Sequence, residues 1–116
     1  MENSGLGFAF MLHLCLGENS LGPGTIELLE RVDRERSLKK ATASMNMAYS
    51  KAWKILKNAE NMLGYDLLNA TAGGKGGGGA ELTEKARTLI ANYRRFEREV
   101  GNFAAQDFKR VFGETP

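Results

Sequence analysis

Between Gly73 and Gly79 the chain reads Gly-Gly-Lys-Gly-Gly-Gly-Gly, a run that can be neither helix nor strand interior. Glycine loses more conformational freedom on ordering than any other residue, and it places no side chain into a core. Whatever precedes and follows this run must therefore fold as separate elements joined across it. Thr71 and Ala80 flank it, with strand-compatible residues at Asp66–Ala70 before it and a brief strand at Glu81-Leu82 after it. Two short strands around so glycine-rich a loop predict a β-hairpin with a long tip.

The elements on either side are helical. Thr25 is a suitable N-cap, and Ile26, Leu29 and Val32 recur at helical spacing, with Leu28 widening the stripe, so a first helix is expected over 25–36. Ser37 caps a short second helix through about Ser44, with Leu38 and Ala41 facing inward. A tight turn follows at Met45-Asn46-Met47, where Asn46 best tolerates the left-handed conformation. The third helix, about 48–63, turns Ala52, Ile55, Leu56, Ala59, Met62 and Leu63 to one side. Ser50, Lys54, Lys57 and Asn61 lie opposite, Lys51 and Trp53 are on the two flanks, and Gly64 closes the helix. The intermediate wheel position of Trp53 makes it a packing residue rather than a contact for a partner. Thr83 caps a last helix on which Ala86, Leu89, Tyr93, Phe96, Val100 and Phe103 form a heptad-like seam. Such a stripe of large residues needs either the domain's own core or a second copy, and a homodimer is expected through Leu89, Tyr93, Phe96, Val100 and Phe103. Upstream, Phe8–Leu16 reads as a strand stopped by a turn at Gly17–Ser20.

The expected fold is mainly α with a small β-hairpin: one domain over 1–116, a winged helix-turn-helix at 8–82 followed by a long dimerisation helix at 83–112. In such a fold the helix after the tight turn enters the major groove and its N-terminal residues reach base edges. Those residues are Tyr49, Ser50, Lys51 and Lys54, with Lys57 further along toward phosphate and Thr71 and Lys75 in the wing. Net charge is only +2, but Ser37–Gly79 holds six lysines against Glu60 and Asp66, a local +4 that leaves −2 for the remainder. Double-stranded DNA is the partner such a surface suits.

Other chemistries are poorly supported. A P-loop needs a hydroxyl after its lysine, and Lys75 is followed by Gly76. No nucleophile and base stand at recognisable spacing, so no catalytic residues, no metal site and no cofactor are expected, and the chain does not read as an enzyme. His13, within an apolar strand candidate, is given a structural role, and the lone Cys15 a buried one. The apolar stretch Gly5–Gly17 lacks the basic start and cleavage site of a signal peptide and is too short to span a bilayer, so a soluble cytoplasmic protein without membrane contact is expected.

Ser37–Trp53, SLKKATASMNMAYSKAW, followed by Thr71–Leu82, TAGGKGGGGAEL, resembles the N-terminal DNA-binding domain of the ModE-type molybdate-dependent transcription regulators, with their LysR-like helix-turn-helix. The glycine-rich wing with its single lysine and the Tyr-x-x-Ala-Trp of the third helix are the specific parts, and the resemblance covers roughly residues 8–100. It implies a winged helix that dimerises through its terminal helix and binds operator DNA of molybdenum-related genes. Asn46 stands where that family usually has glycine, and Ala48, which cannot cap, where it usually has serine. The molybdate-binding domain of the full-length regulators is not matched, so the resemblance carries no oxyanion sensing. A separate molybdate-sensing protein is a possible partner. The competing function is a winged-helix adaptor that binds protein rather than DNA.

Overall fold

A computed structural model describes residues 5–70 and 79–113. The chain order is β1 (Leu14–Leu16), β2 (Asn19–Leu21), α1 (Pro23–Glu35), α2 (Leu38–Ser44), α3 (Tyr49–Leu63), β3 (Leu68–Ala70), β4 (Ala80–Leu82) and α4 (Glu84–Phe112). The mainly helical winged helix-turn-helix with its long final helix is thus present.

Three helix ends form as their residues dictate. The Ser37 hydroxyl accepts from Lys40 N–H at 3.0 Å, Thr83 accepts from Ala86 N–H at 3.1 Å, and Gly64 closes α3 with φ 84°. The start of α1 differs from expectation: its cap is Gly22, not Thr25, and Pro23 opens the helix. Proline lacks the N–H that would be unsatisfied there, and its fixed φ is already helical. The helix ends at Arg36, in the left-handed region with φ 59°.

Helix α1 is the centre of the domain, packing on α2, α3, α4, β2 and β4. Its Ile26, Leu28, Leu29 and Val32 are wholly buried, joined by Leu38 and Ala41 of α2, Ala52 and Leu56 of α3, Leu67, Leu82, and Leu89 and Tyr93 of α4. Strands β3 and β4 pair antiparallel, Leu68 opposite Leu82 and Ala70 opposite Ala80. Gly79 bridges to Ser37, and Ala80 N–H donates to Arg36 C=O at 3.2 Å. These bonds fasten the hairpin to the junction of α1 and α2.

The N-terminal segment corrects two expectations. Only Leu14–Leu16 of the Phe8–Leu16 stretch is strand, paired with Asn19–Leu21 in a second hairpin that turns at Gly17, φ 63°. The residues read as one turn, Gly17–Ser20, thus contribute a strand of their own. Cys15 is exposed rather than buried, because its two-stranded sheet leaves one face open. The His13 ring lies over Gly22, where a Cβ would come within 2.5 Å of Cε1.

Candidate nucleic-acid interface

The geometry around α3 begins with the turn that precedes it. Met45 N–H donates to Ala41 C=O at 3.2 Å, and Met47 N–H returns to Thr42 C=O at 2.9 Å, so α2 closes tightly. Asn46 sits in the left-handed region at φ 58°, where its short side chain is tolerated. A further clamp was not read from the sequence. Arg31 of α1 donates to Ser44 Oγ at 2.8 Å and Ser44 C=O at 3.2 Å, while Glu27 holds its guanidinium at 2.6 Å. The four-residue Glu27–Arg31 spacing was the available signal for this ion pair, but its target on α2 depends on tertiary packing.

With α2 so fixed, α3 presents three flanks. Ser50, Lys54 and Asn61 are exposed along its front. Tyr49, Trp53 and Lys57 line the flank toward the β3–β4 hairpin, and Lys51, Ile55 and Asn58 line a hollow on the opposite side with His13 and Ser20. Lys51 therefore serves the side of the N-terminal hairpin, not that of the wing. Lys57 reaches Glu60 at 3.5 Å, and Glu60 also accepts from Leu67 N–H at 2.8 Å, which ties the end of α3 to the approach of β3. Ala48 makes no side-chain cap for α3, as its methyl requires. Thr71 and Lys75, the wing residues expected to contact DNA, lie outside the described residues.

The hairpin base is fixed by Thr83, whose hydroxyl donates to Asp66 C=O at 2.8 Å while capping α4. Nearby, Lys85 sits 5.3 Å from the Tyr65 ring centre, and burial pushes the Tyr65 hydroxyl pKa up.

Along α4 the apolar seam divides. Leu89 and Tyr93 are buried in the protomer's own core, whereas Phe96 is 50% and Phe103 68% exposed, with Val100 half-buried between them. The exposed part of the seam thus begins at Phe96, so Leu89 and Tyr93 serve the core of the domain itself. The N-terminal arm lies against the same helix: Tyr93 O–H donates to Leu12 C=O at 2.7 Å, the Phe10 ring comes to Gly101, and Phe8 packs on Phe108 with centroids 5.2 Å apart. Arg94 grips both carboxylate oxygens of Glu30 at 2.9 and 2.8 Å, joining α4 to α1.

Among the described residues no group of three histidine, cysteine or carboxylate side chains could hold a metal ion, and no helix is long and apolar enough to cross a membrane.

Comparison with known proteins agrees with this geometry. Residues 24–87, from α1 into α4, match the bacterial regulatory helix-turn-helix protein, LysR family. The molybdenum transport protein ModE of Azotobacter vinelandii is 35% identical over 80 residues, 69% of this chain and 30% of that protein. The molybdenum-pterin-binding protein MopB of Rhodobacter capsulatus is 34% identical over 80 residues, with the same coverage. The DNA-binding transcriptional dual regulator ModE of Escherichia coli K12 is 31% identical over 71 residues, 61% of this chain and 27% of that protein. The chain spans about 30% of the length of the relatives it matches. With the matched segment running from α1 through α2, α3 and the hairpin, the chain belongs to the LysR-type family of bacterial regulatory helix-turn-helix proteins.

Proposed function

We propose that this chain is a sequence-specific DNA-binding transcription regulator of molybdenum-related genes, acting in the cytoplasm as a homodimer on a pseudo-palindromic operator. The observation that carries the reading is the α2–α3 unit: a capped short helix, a turn through left-handed Asn46, and a following helix whose exposed front holds Ser50 and Lys54. Lysine can donate to guanine O6 and N7, and serine can donate or accept at a base edge. Lys51 and Lys57, on the two flanks, are suited to phosphates, which position a protein without reading sequence. Thr71 and Lys75 of the wing are assigned to the sugar–phosphate backbone or the minor groove. A second copy joins through Phe96, Val100 and Phe103, with Leu89 and Tyr93 holding the base of the same helix in each protomer's core. Molybdenum enters from the relatives' names, and a separate molybdate-sensing protein is the partner that would supply a signal. No catalytic step is assigned.

The test is fluorescence-anisotropy titration of the duplex upstream of its own gene, beside a scrambled duplex, from about 50 to 200 mM salt. Tight binding to the native duplex, weak binding to the scrambled one and a steep salt dependence are expected. Lys75→Ala should weaken all duplexes alike, whereas Ser50→Ala or Lys54→Ala should change the preference among them. Absence of binding at the lowest salt would overturn the reading in favour of a protein-binding adaptor.

A further inference from the structure

A groove of about 300 Å³ runs between α3 and the β3–β4 hairpin, lined by Leu38, Tyr49, Trp53, Lys57, Asn69 and Gly79, with Glu60 and Asp66 also on its walls. Tyr49 and Trp53 stand edge to face, with centroids 6.2 Å apart and ring planes at 87°. They are 45% and 39% exposed, unusual for side chains whose rings gain so much from burial. Neither the Tyr49 hydroxyl nor the Trp53 indole N–H has a hydrogen-bond partner among the described residues. Two large rings thus hold one another in place and leave both of their donors available.

We propose that Trp53, with Tyr49, is a DNA-contacting residue, and that the sugar–phosphate strand beside the major groove seats on this aromatic pair. The inference rests on the DNA-binding reading above. A duplex that takes α3 in its major groove and the hairpin on its adjoining surface must carry one backbone strand across the gap between them. The only rings on that gap's α3 wall are these two, and they offer apolar faces to deoxyribose and N–H and O–H donors to phosphate.

Charge along the groove fixes which end is used. Lys57 follows one turn beyond Trp53 on the same wall. Glu60 lies seven positions from Trp53 and eleven from Tyr49, about 10 and 16 Å along the helix axis, and its charge is met by Leu67 N–H and Lys57. Asp66 follows the end of α3 altogether. The carboxylates therefore belong to the far end, and a phosphate is accommodated at the aromatic end.

Trp53 is the sole tryptophan, so its emission reports this contact directly. A dye-labelled duplex from upstream of the protein's own gene is titrated while dye anisotropy and tryptophan emission are followed together. Emission is expected to change with the same midpoint as anisotropy. Measured well below the melting temperature of both proteins, Trp53→Ala should weaken native and scrambled duplexes alike by about tenfold, and Trp53→Phe, which keeps a ring, should recover part of the loss. Saturable anisotropy with unchanged emission, or wild-type affinity in folded Trp53→Ala, would overturn the proposal. If the duplex fails to bind at any salt, the DNA-binding reading falls, and this inference falls with it.

Discussion

Serine at position 48 would test how the helix offered to DNA is started. Helices α2 and α4 each begin with a hydroxyl that accepts an orphan backbone N–H, from Lys40 at 3.0 Å and Ala86 at 3.1 Å. Helix α3 begins at Ala48, in extended backbone with φ −66° and ψ 137°, and no side chain satisfies its first turn. Lys51 N–H is met by Ala48 C=O at 3.1 Å, which leaves the N–H groups of Tyr49 and Ser50 to solvent. Ala48 is exposed, so a hydroxyl there displaces nothing in the core. Ala48→Ser should therefore stabilise the fold by about 1 kcal/mol, within a range of roughly 0.5–2 kcal/mol for alanine against serine at this position. For a domain of this size, that raises Tm by about 4 °C. Thermal melts by circular dichroism and urea midpoints measure it, and Ser37→Ala supplies the reciprocal case, with a loss of at least similar size because Ser37 is buried. Equal stability of Ala48→Ser and wild type, with Ser37→Ala still costly, would refute the view that α3 starts uncapped. Ala48→Asp should stabilise the helix as well, through its favourable charge at the N-terminus, yet weaken duplex binding by placing an anion where phosphate approaches.

Three further outcomes are expected. The two hydrogen bonds from Arg94 hold the Glu30 carboxyl below the ordinary glutamate range, burial opposes this, and the charges of Arg94 and Arg34 assist it. A carboxyl lowered on folding contributes stability above its unfolded value near 4.5 and loses it as pH falls through the folded value. Glu30→Gln should accordingly cost up to about 1 kcal/mol near pH 7, discounted because both partners are about one third exposed, and the gap to wild type should close in acid, as read from urea midpoints. Tyr93→Phe leaves Leu12 C=O without its donor and should cost about 1 kcal/mol while speeding amide exchange around residues 12–14, with the rest of α4 unaffected. Phe103→Glu changes a ring that is 68% exposed, so it should leave the domain folded and abolish the homodimer proposed above, as read by sedimentation equilibrium.

What the sequence disclosed and what it withheld differ in a physical way. Ser37, Asn46, Gly64 and Thr83 act through their own backbone neighbours, and each takes the place its chemistry requires. Features that depend on partners distant in sequence were harder to read. Thr25 looked like a cap because it carries an oxygen, but the helix starts two residues earlier on proline, which needs no capping bond. Asn19 and Ser20 read as turn residues, yet they pair across Gly17-Glu18 with Cys15 and Leu16. The arm of Arg31 across to Ser44 has no local signature at all. Trp53 has a wheel position between core and solvent, and only the hairpin opposite turns that flank into the wall of a groove.

The seam of α4 carries the same lesson further. Spacings of three and four report that one stripe of a helix is apolar, not what covers it. Here the coverage changes along the stripe. As far as Tyr93, the tenth residue of α4, α1 and its neighbours supply the cover. Beyond it the helix continues through nineteen more residues to Phe112, roughly 28 Å, past the domain's main core. The N-terminal arm occupies part of that length, running against the helix so that Leu12 meets Tyr93, Phe10 meets Gly101 and Phe8 meets Phe108. Those three arm residues alternate, which is why Phe8–Leu16 has the look of a strand. The period of two needs an extended backbone, not a sheet partner, and here α4 receives the rings of Phe8 and Phe10 while Leu12 meets it through its carbonyl. Phe96 and Phe103 remain exposed, and at about 100° per residue they lie on the opposite flank of the stripe from Gly101 and Phe108. An interface built there is formed by α4 without the arm, so the homodimer proposed above should be lost in Phe103→Glu and kept in Phe8→Ala, which leaves the core of α1, α2 and α3 untouched. Dimer retained in Phe103→Glu would mean that the exposed rings do not hold the copies together.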